Sequence, residues 1–257
     1  MSAMIGSKCP MNKSEIIREL KKAMAFYQEL GFSYLPVRRE HAMGLLRRKN
    51  RTGGQNAEIP GPGVTGVSVQ GRDEALIRLR EEIGDCTRCT LSRNRKNIVF
   101  GEGFAEAELM FIGEGPGRDE DIQARPFVGS AGKLLTSLIE KMDMTREGVY
   151  IANIVKCRPP NNRDPEDDEI SACMPFVERQ IEIIRPKVII TLGRVSSQAL
   201  LNTKVPISRL RGTFFHHRDI PVMPTFHPAY LLRNPKDKWL TWDDVQKVLA
   251  KLKDSSQ

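Results

Sequence analysis

The sequence predicts an α/β fold in which a mostly parallel sheet is covered on both faces, and three observations carry that prediction. Short continuous apolar runs alternate with amphipathic helical segments over roughly 150 residues, the pattern of strands joined by helical crossovers. The runs are bounded by Gly, Pro and polar residues, as buried strands are. Three of them also end in polar side chains, Glu114, Asn153 and His227. In a parallel sheet the carboxyl ends of the strands share one edge, so residues far apart in sequence meet there, where such folds bind ligands.

Taken in order, residues 14–30 (SEIIRELKKAMAFYQEL) place Ile16, Ile17, Leu20, Ala23, Met24, Tyr27 and Leu30 on one helical face behind Ser14 as N-cap. The basic stretch 38–51 runs into a Gly- and Pro-rich segment that cannot build a core. The expected organisation is a basic extension with one amphipathic helix over 1–51, a linker over 52–72, and a folded domain over 73–257. The domain opens with a short amphipathic helix, DEALIRLREEIG, that leads to Cys86 and Cys89. Leu109 to Ile112 form the first buried strand, followed by a loop holding Gly113, Gly115 and Gly117 and by a helix opening near Ser130. A second strand lies within 148–157 and ends at Asn153 and Lys156 before the Pro-rich loop RPPNNRDP. The helix after it carries Ile170, Cys173, Met174, Val177, Ile181 and Ile184 at helical spacing and stops at Pro186. KVIITLG is a strand with RVSSQALL as its helix, IPVMPTF is a shorter strand ending at His227 and Pro228, and a last helix spans about 241–253.

A chain of 257 residues with 40% hydrophobic content can bury a sizeable core. No window approaches the ~18 apolar residues of a membrane span, and the first residues lack the apolar run of a secretory signal, so a cytoplasmic protein without a membrane partner is expected; it is also expected to be a monomer. The net charge of +8 is concentrated at the start: residues 1–73 hold 12 basic and 6 acidic residues. That arm is either a nucleic-acid contact or a solvated extension with another, unknown partner.

Five cysteines, an odd number, argue for free thiols or metal ligands rather than a disulfide scaffold. Cys86 and Cys89 have the spacing of a chelate, whereas Cys157 and Cys173 are too far apart for the second half of a zinc ribbon. An iron-sulfur cluster on four thiolates is at least as good a reading as structural zinc. The glycine loop fits neither phosphate motif: GEGPGR has the wrong spacing for a dinucleotide fingerprint, Pro116 has no amide hydrogen, and Phe127 stands where a Walker loop needs glycine. What remains is a turn that brings backbone close to a small ligand, with Glu114 and Glu120 nearby.

GEGPG with Glu120, RPFVG, NIVKCRPP with the following NR, and TFHPAYLLR, interleaved with the four cysteines, resemble the family 4 uracil-DNA glycosylases over about 79–253. The resemblance implies a three-layer α/β/α fold with a four-stranded, mainly parallel sheet, and a 4Fe-4S cluster on Cys86, Cys89, Cys157 and Cys173. It implies excision of an everted uracil from DNA, which starts base-excision repair. Phe127 resembles the stacking residue. Asn153 resembles the reader, its carbonyl accepting from uracil N3-H and its amide donating to O4. His227 resembles the donor to uracil O2, aided by backbone N–H groups of the glycine loop. Gly115 occupies the position where other branches place a water-orienting aspartate, which leaves Glu114 or backbone carbonyls to orient the water. Glu120 is expected beside the edge where thymine carries its methyl, and Asn162 resembles another site residue.

Tyr230, Leu231 and Leu232 are candidates for a wedge that fills the gap left by the base, and Arg233, Lys156, Arg158 and Arg163 for phosphate contacts. Two rival functions are a non-catalytic nucleic-acid-binding module with a structural metal, and a glycosylase for another deaminated base such as hypoxanthine or xanthine. Asn153 argues against the latter.

Overall fold

The computed structural model describes residues 69–254. The helix expected over 14–30, the basic extension and most of the linker lie outside the described residues. The first described helix, α1 (Val69–Ile83), begins four residues before the expected domain boundary at 73.

Six strands among the described residues form one sheet: β1 (Glu102–Gly103), β2 (Leu109–Gly113), β3 (Tyr150–Asn153), β4 (Val188–Leu192), β5 (Phe215–His217) and β6 (Ile220–Thr225). Their order is β1-β3-β2-β4-β6-β5. The four strands expected from the sequence form the parallel centre, β3-β2-β4-β6. The short β1 and β5 extend it antiparallel at the two edges. The helices are α2 (Arg118–Gln123), α3 (Ser130–Lys141), α4 (Asp167–Ile184), α5 (Arg194–Leu201), α6 (Ile207–Leu210), α7 (Pro228–Arg233) and α8 (Lys238–Asp254).

Alternation along each strand divides the core into two layers. Met110 and Ile112 of β2 face Leu79 and Ile83 of α1 and Phe176, Val177 and Ile181 of α4. Leu109 and Phe111 face the other way, with Leu135 and Ile139 of α3 and Val245, Val248 and Leu252 of α8. Both faces of the central strands are therefore dry, which is why they read as unbroken apolar runs. Each such side chain contributes ~1.5–3 kcal/mol by leaving water.

Two departures from the sequence reading bear on the site. Arg118–Gln123, read as loop, is a helical turn with Asp119, Glu120 and Asp121 at its start, where the helix dipole favours acidic groups. The second strand stops at Asn153 rather than continuing through Lys156. Ile154 N–H and Val155 N–H still bond to the carbonyls of Gly113 and Glu114 at 2.9 and 3.1 Å, so the segments leaving β2 and β3 run together. α3 and α5, the helices that follow β2 and β4, lie on opposite faces of the sheet, leaving a crevice at the carboxyl ends of these strands.

Candidate active site

A cleft of about 480 Å³ opens at that crevice, lined by Glu114, Gly115, Glu120, Phe127, Asn153 and His227. Asn162, Arg163, Tyr230 and Arg233 also reach it. The three strand-end residues, more than a hundred positions apart at the extremes, thus border one space. Asp119, Ser130 and Asp164 line it as well, and sequence reasoning had not singled them out.

Asn153 is 1% exposed, and its side-chain oxygen has no hydrogen-bond partner. A buried acceptor left unpaired is costly, so such an atom points to a ligand that supplies the missing donor. The sheet register sets Gly113 directly beside Asn153. A Cβ on Gly113 would lie 2.4 Å from Asn153 Oδ1 and 2.5 Å from Phe127 Cζ, so only glycine lets both side chains approach this strand end. Its neighbours on the folded chain, rather than any motif, show this requirement.

Phe127 adopts a left-handed backbone with φ 50°, rare for an aromatic residue, and its ring lies 5.7 Å from that of His227. The strained turn is held from several sides. Gly132 passes so close that a Cβ there would sit 1.9 Å from the Phe127 carbonyl oxygen. Arg146 donates through Nη2 to the carbonyl of Pro126, through Nη1 to Thr136 Oγ1 at 3.2 Å, and through Nε to Glu102 Oε1 at 2.7 Å. Arg125 Nε grips the other oxygen of Glu102 at 2.7 Å, and the two guanidinium groups hold the Glu102 carboxyl below its usual range against the cost of burial. Glu120 Oε1 accepts from the N–H groups of Val128 and Gly129, both at 2.9 Å, and so ties the α2 turn to the start of α3.

His227 is the N-cap of α7, and its Nδ1 accepts the Ala229 N–H at 3.1 Å. A ring nitrogen that accepts carries no proton, so the neutral imidazole bears its proton on Nε2. Burial, with Arg233 adding to it, lowers the pKa of His227 to about 4 and keeps the ring neutral at ordinary pH. Glu114 moves the opposite way: burial and the nearby Asp164 raise it to about 7, with Arg194 pulling weakly against them. Arg194 is in turn ion-paired with Asp164.

The structure corrects two expected DNA contacts and qualifies a third. Leu231 is buried at 4% exposure and cannot serve as a wedge, because this position of α7 turns towards the protein; Leu232, at 43%, is the exposed one. Lys156 is 2% exposed and its ammonium bonds inward, so it cannot reach a phosphate. Arg163 lies at the cleft, but both its terminal nitrogens bond the buried Glu169 carboxylate, at 2.8 and 2.7 Å, which helps hold Glu169 at about 2. Arg158 donates through Nε to Asn162 Oδ1 at 2.7 Å. Tyr230 stacks on Phe226 and donates its O–H to Asp237 at 2.7 Å, while Arg233 is exposed at the cleft mouth.

A second, smaller cavity is ringed by Cys86, Cys89, Cys157 and Cys173, all free thiols. Among the described residues no three His, Cys, Asp or Glu side chains are grouped as ligands of a single metal ion. Donors are aimed at the sulfurs: Arg88 Nη1 at 3.3 Å from Cys86 Sγ, Arg95 Nη1 at 3.5 Å from Cys157 Sγ, and the Lys156 N–H at 3.3 Å from Cys173 Sγ. Burial pushes Cys157 up to about 12 and raises Cys89 and Cys173. Four thiols around one cavity, two of them buried and two half-buried, with N–H groups directed at three of the sulfurs, fit a cationic metal-sulfur core that would keep them as thiolates.

Residues 100–253 match the model of the uracil DNA glycosylase superfamily. Curated relatives named type-4 uracil-DNA glycosylase include three from different organisms. The protein of Saccharolobus solfataricus is 52% identical over 67% of this chain and 84% of its own length. That of Sulfurisphaera tokodaii is 46% identical over 68% and 84%, and that of Thermotoga maritima 44% identical over 71% and 97%. The chain belongs to the type-4 uracil-DNA glycosylases. Among the described residues of this type-4 glycosylase no helix is long and apolar enough to cross a membrane.

The bracket around Phe127 gives a first prediction. Arg146→Ala should lower single-turnover uracil release by ~10- to 100-fold, since a misplaced contact group costs rate without direct loss of chemistry. Added guanidinium should restore part of it. A rate within twofold of wild type would remove Arg146 from the support of the cleft.

Proposed function

We propose that this chain hydrolyses the N-glycosidic bond of uracil in DNA, with the base everted into the cleft, and so initiates base-excision repair. The carrying observation is the unpaired, buried Asn153 Oδ1 beside Phe127 and His227. Uracil offers the complement: N3-H donates to that oxygen, and O4 accepts from the Asn153 amide. Cytosine inverts both positions, and a site with buried polar groups can then discriminate by ~10⁴ or more. Phe127 supplies the face on which the pyrimidine stacks.

As the C1′–N1 bond breaks, its electron pair leaves with the base and positive charge develops on the sugar. The neutral Nε2–H of His227 stabilises the charge collecting on uracil O2, an interaction stronger in the transition state than before it. Water then adds to C1′ and passes its proton to the Glu114 carboxylate, leaving an abasic site. Leu232, exposed and adjacent in sequence to Arg233 of the cleft lining, acts as wedge, and Arg233 as phosphate contact. Cys86, Cys89, Cys157 and Cys173 would hold a 4Fe-4S cluster, which when bound would cross-link the segment after α1 to the segment after β3 and to α4 and supply no step of the hydrolysis.

Treatment of a uracil-containing oligonucleotide with the protein, followed by hot alkali, tests this function. Strand breaks at uracil are expected; binding without breaks identifies a non-catalytic module, and breaks only at hypoxanthine or xanthine another base specificity. The raised pKa of Glu114 adds a pH signature: only the carboxylate takes a proton, so release should climb as pH rises through about 7. Glu114→Gln should flatten that climb and lower the plateau by ~10²-fold or more. An unchanged profile would exclude Glu114 as the acceptor.

A further inference from the structure

Lys156 lies between the two cavities. Its ammonium donates to the Asn153 carbonyl oxygen at 2.8 Å and to Gln180 Oε1 at 2.6 Å. Gln180 is fixed in turn, donating to the Phe100 carbonyl at 2.9 Å and to the Tyr150 phenol oxygen at 3.1 Å. The backbone of Lys156 is equally constrained: its N–H points at Cys173 Sγ at 3.3 Å, and its carbonyl accepts the Val99 N–H at 2.8 Å.

Among the described residues no carboxylate bonds this buried ammonium, whose partners are a carbonyl and an amide oxygen, and Lys156 itself lines the four-thiol cavity. A buried ammonium is unfavourable unless an anion lies close. The four-thiol site supplies one, because four thiolates outweigh the positive charge of a 4Fe-4S core. One residue therefore bonds Cys173 Sγ, which would be a cluster ligand, through its main chain and the backbone of the pyrimidine reader through its side chain.

We propose that Lys156 is a positioning residue that couples the two sites, its ammonium answering the negative charge of the filled thiol site while holding the Asn153 carbonyl, so that the reader's orientation depends on that site being filled. This rests on the uracil function proposed above.

The test uses the iron-loaded full chain with Lys156→Met and Lys156→Arg, labelled with nitrogen-15 asparagine. For Lys156→Met at full iron content, the midpoint potential should move negative, since a neighbouring positive charge favours the reduced cluster. The Asn153 side-chain resonances should shift, uracil release should fall by about 10- to 100-fold, and preference for uracil over cytosine should shrink. Lys156→Arg, which keeps the charge but puts a longer, planar group where the compact ammonium fits between the Asn153 carbonyl and Gln180, should hold the potential and still lose release. A Lys156→Met protein with wild-type potential and Asn153 resonances overturns the coupling. Should that variant not fold, wild-type release and resonances in Lys156→Arg overturn it. Absence of uracil release from the wild-type protein would sink the functional proposal instead, with the coupling still decided by the potential and the resonances.

Discussion

Asn153→Asp is expected to cut uracil release by ~10³-fold or more while the protein remains folded. The substitution keeps the shape of a side chain that is 1% exposed, so packing against Phe127 and Gly113 is preserved. What changes is the pattern of donors. An ionised aspartate offers only acceptors, so uracil O4 loses its donor and faces a lone pair instead. Within a cleft that also holds Glu114, Glu120 and Asp164, burial and like charge protonate part of the population of the new carboxyl. That neutral fraction presents one O–H and one carbonyl, a match for cytosine N3 and its amino group, so slow release of cytosine should appear where wild type has none. Single-turnover assays on paired uracil and cytosine oligonucleotides, read after alkaline cleavage, measure both. Uracil release at the wild-type rate would refute Asn153 as the reader and leave its unpaired oxygen without an explanation.

The parts of this architecture that the sequence reveals are those whose physics is local. Leu109–Gly113 and Val188–Leu192 stand out because a strand dry on both faces is apolar at nearly every position, the buried Thr191 being satisfied by Ser197. The polar residues ending three strands lead to one cleft because parallel topology gathers carboxyl ends. Edge strands of two and three residues, Glu102–Gly103 and Phe215–His217, carry no periodicity to detect. Arg118–Gln123 is a polar single turn among glycines and reads as loop.

Side-chain direction is harder still. Lys156 and Leu231 sit in the right motifs but point inward, for reasons that lie in partners distant in sequence, such as Gln180 for Lys156. Gly113 and Asp164 belong to the same class. One is needed because Asn153 and Phe127 converge on it, the other borders Glu114 from a loop 50 positions away, and neither relation has a sequence signature.

His227→Ala should lower the rate of bond cleavage by ~10²–10³-fold with little change in affinity for uracil-containing DNA, because the lost donor acts chiefly on charge that exists only in the transition state. The N–H of Ala229 fixes the ring as the Nε2–H tautomer, and burial with Arg233 nearby holds it neutral. A neutral donor is suited to a leaving group that becomes anionic, since it stabilises the forming charge without first attracting the counter-ion or water an imidazolium would draw. The same geometry sets an acid limit. With a folded pKa of about 4 against an ordinary value of 6.5, the unfolded chain binds the proton more readily between those pH values. Stability therefore falls as pH drops through that window, and release falls with it once Nδ1 is protonated and the Ala229 N–H loses its acceptor. His227→Gln, which cannot be protonated there, should lose less stability than wild type between pH 6.5 and 4 in urea titrations. Equal losses in the two proteins would show that the ring is not held neutral, and a small rate effect in His227→Ala would move the stabilisation of uracil O2 to the backbone of the glycine loop.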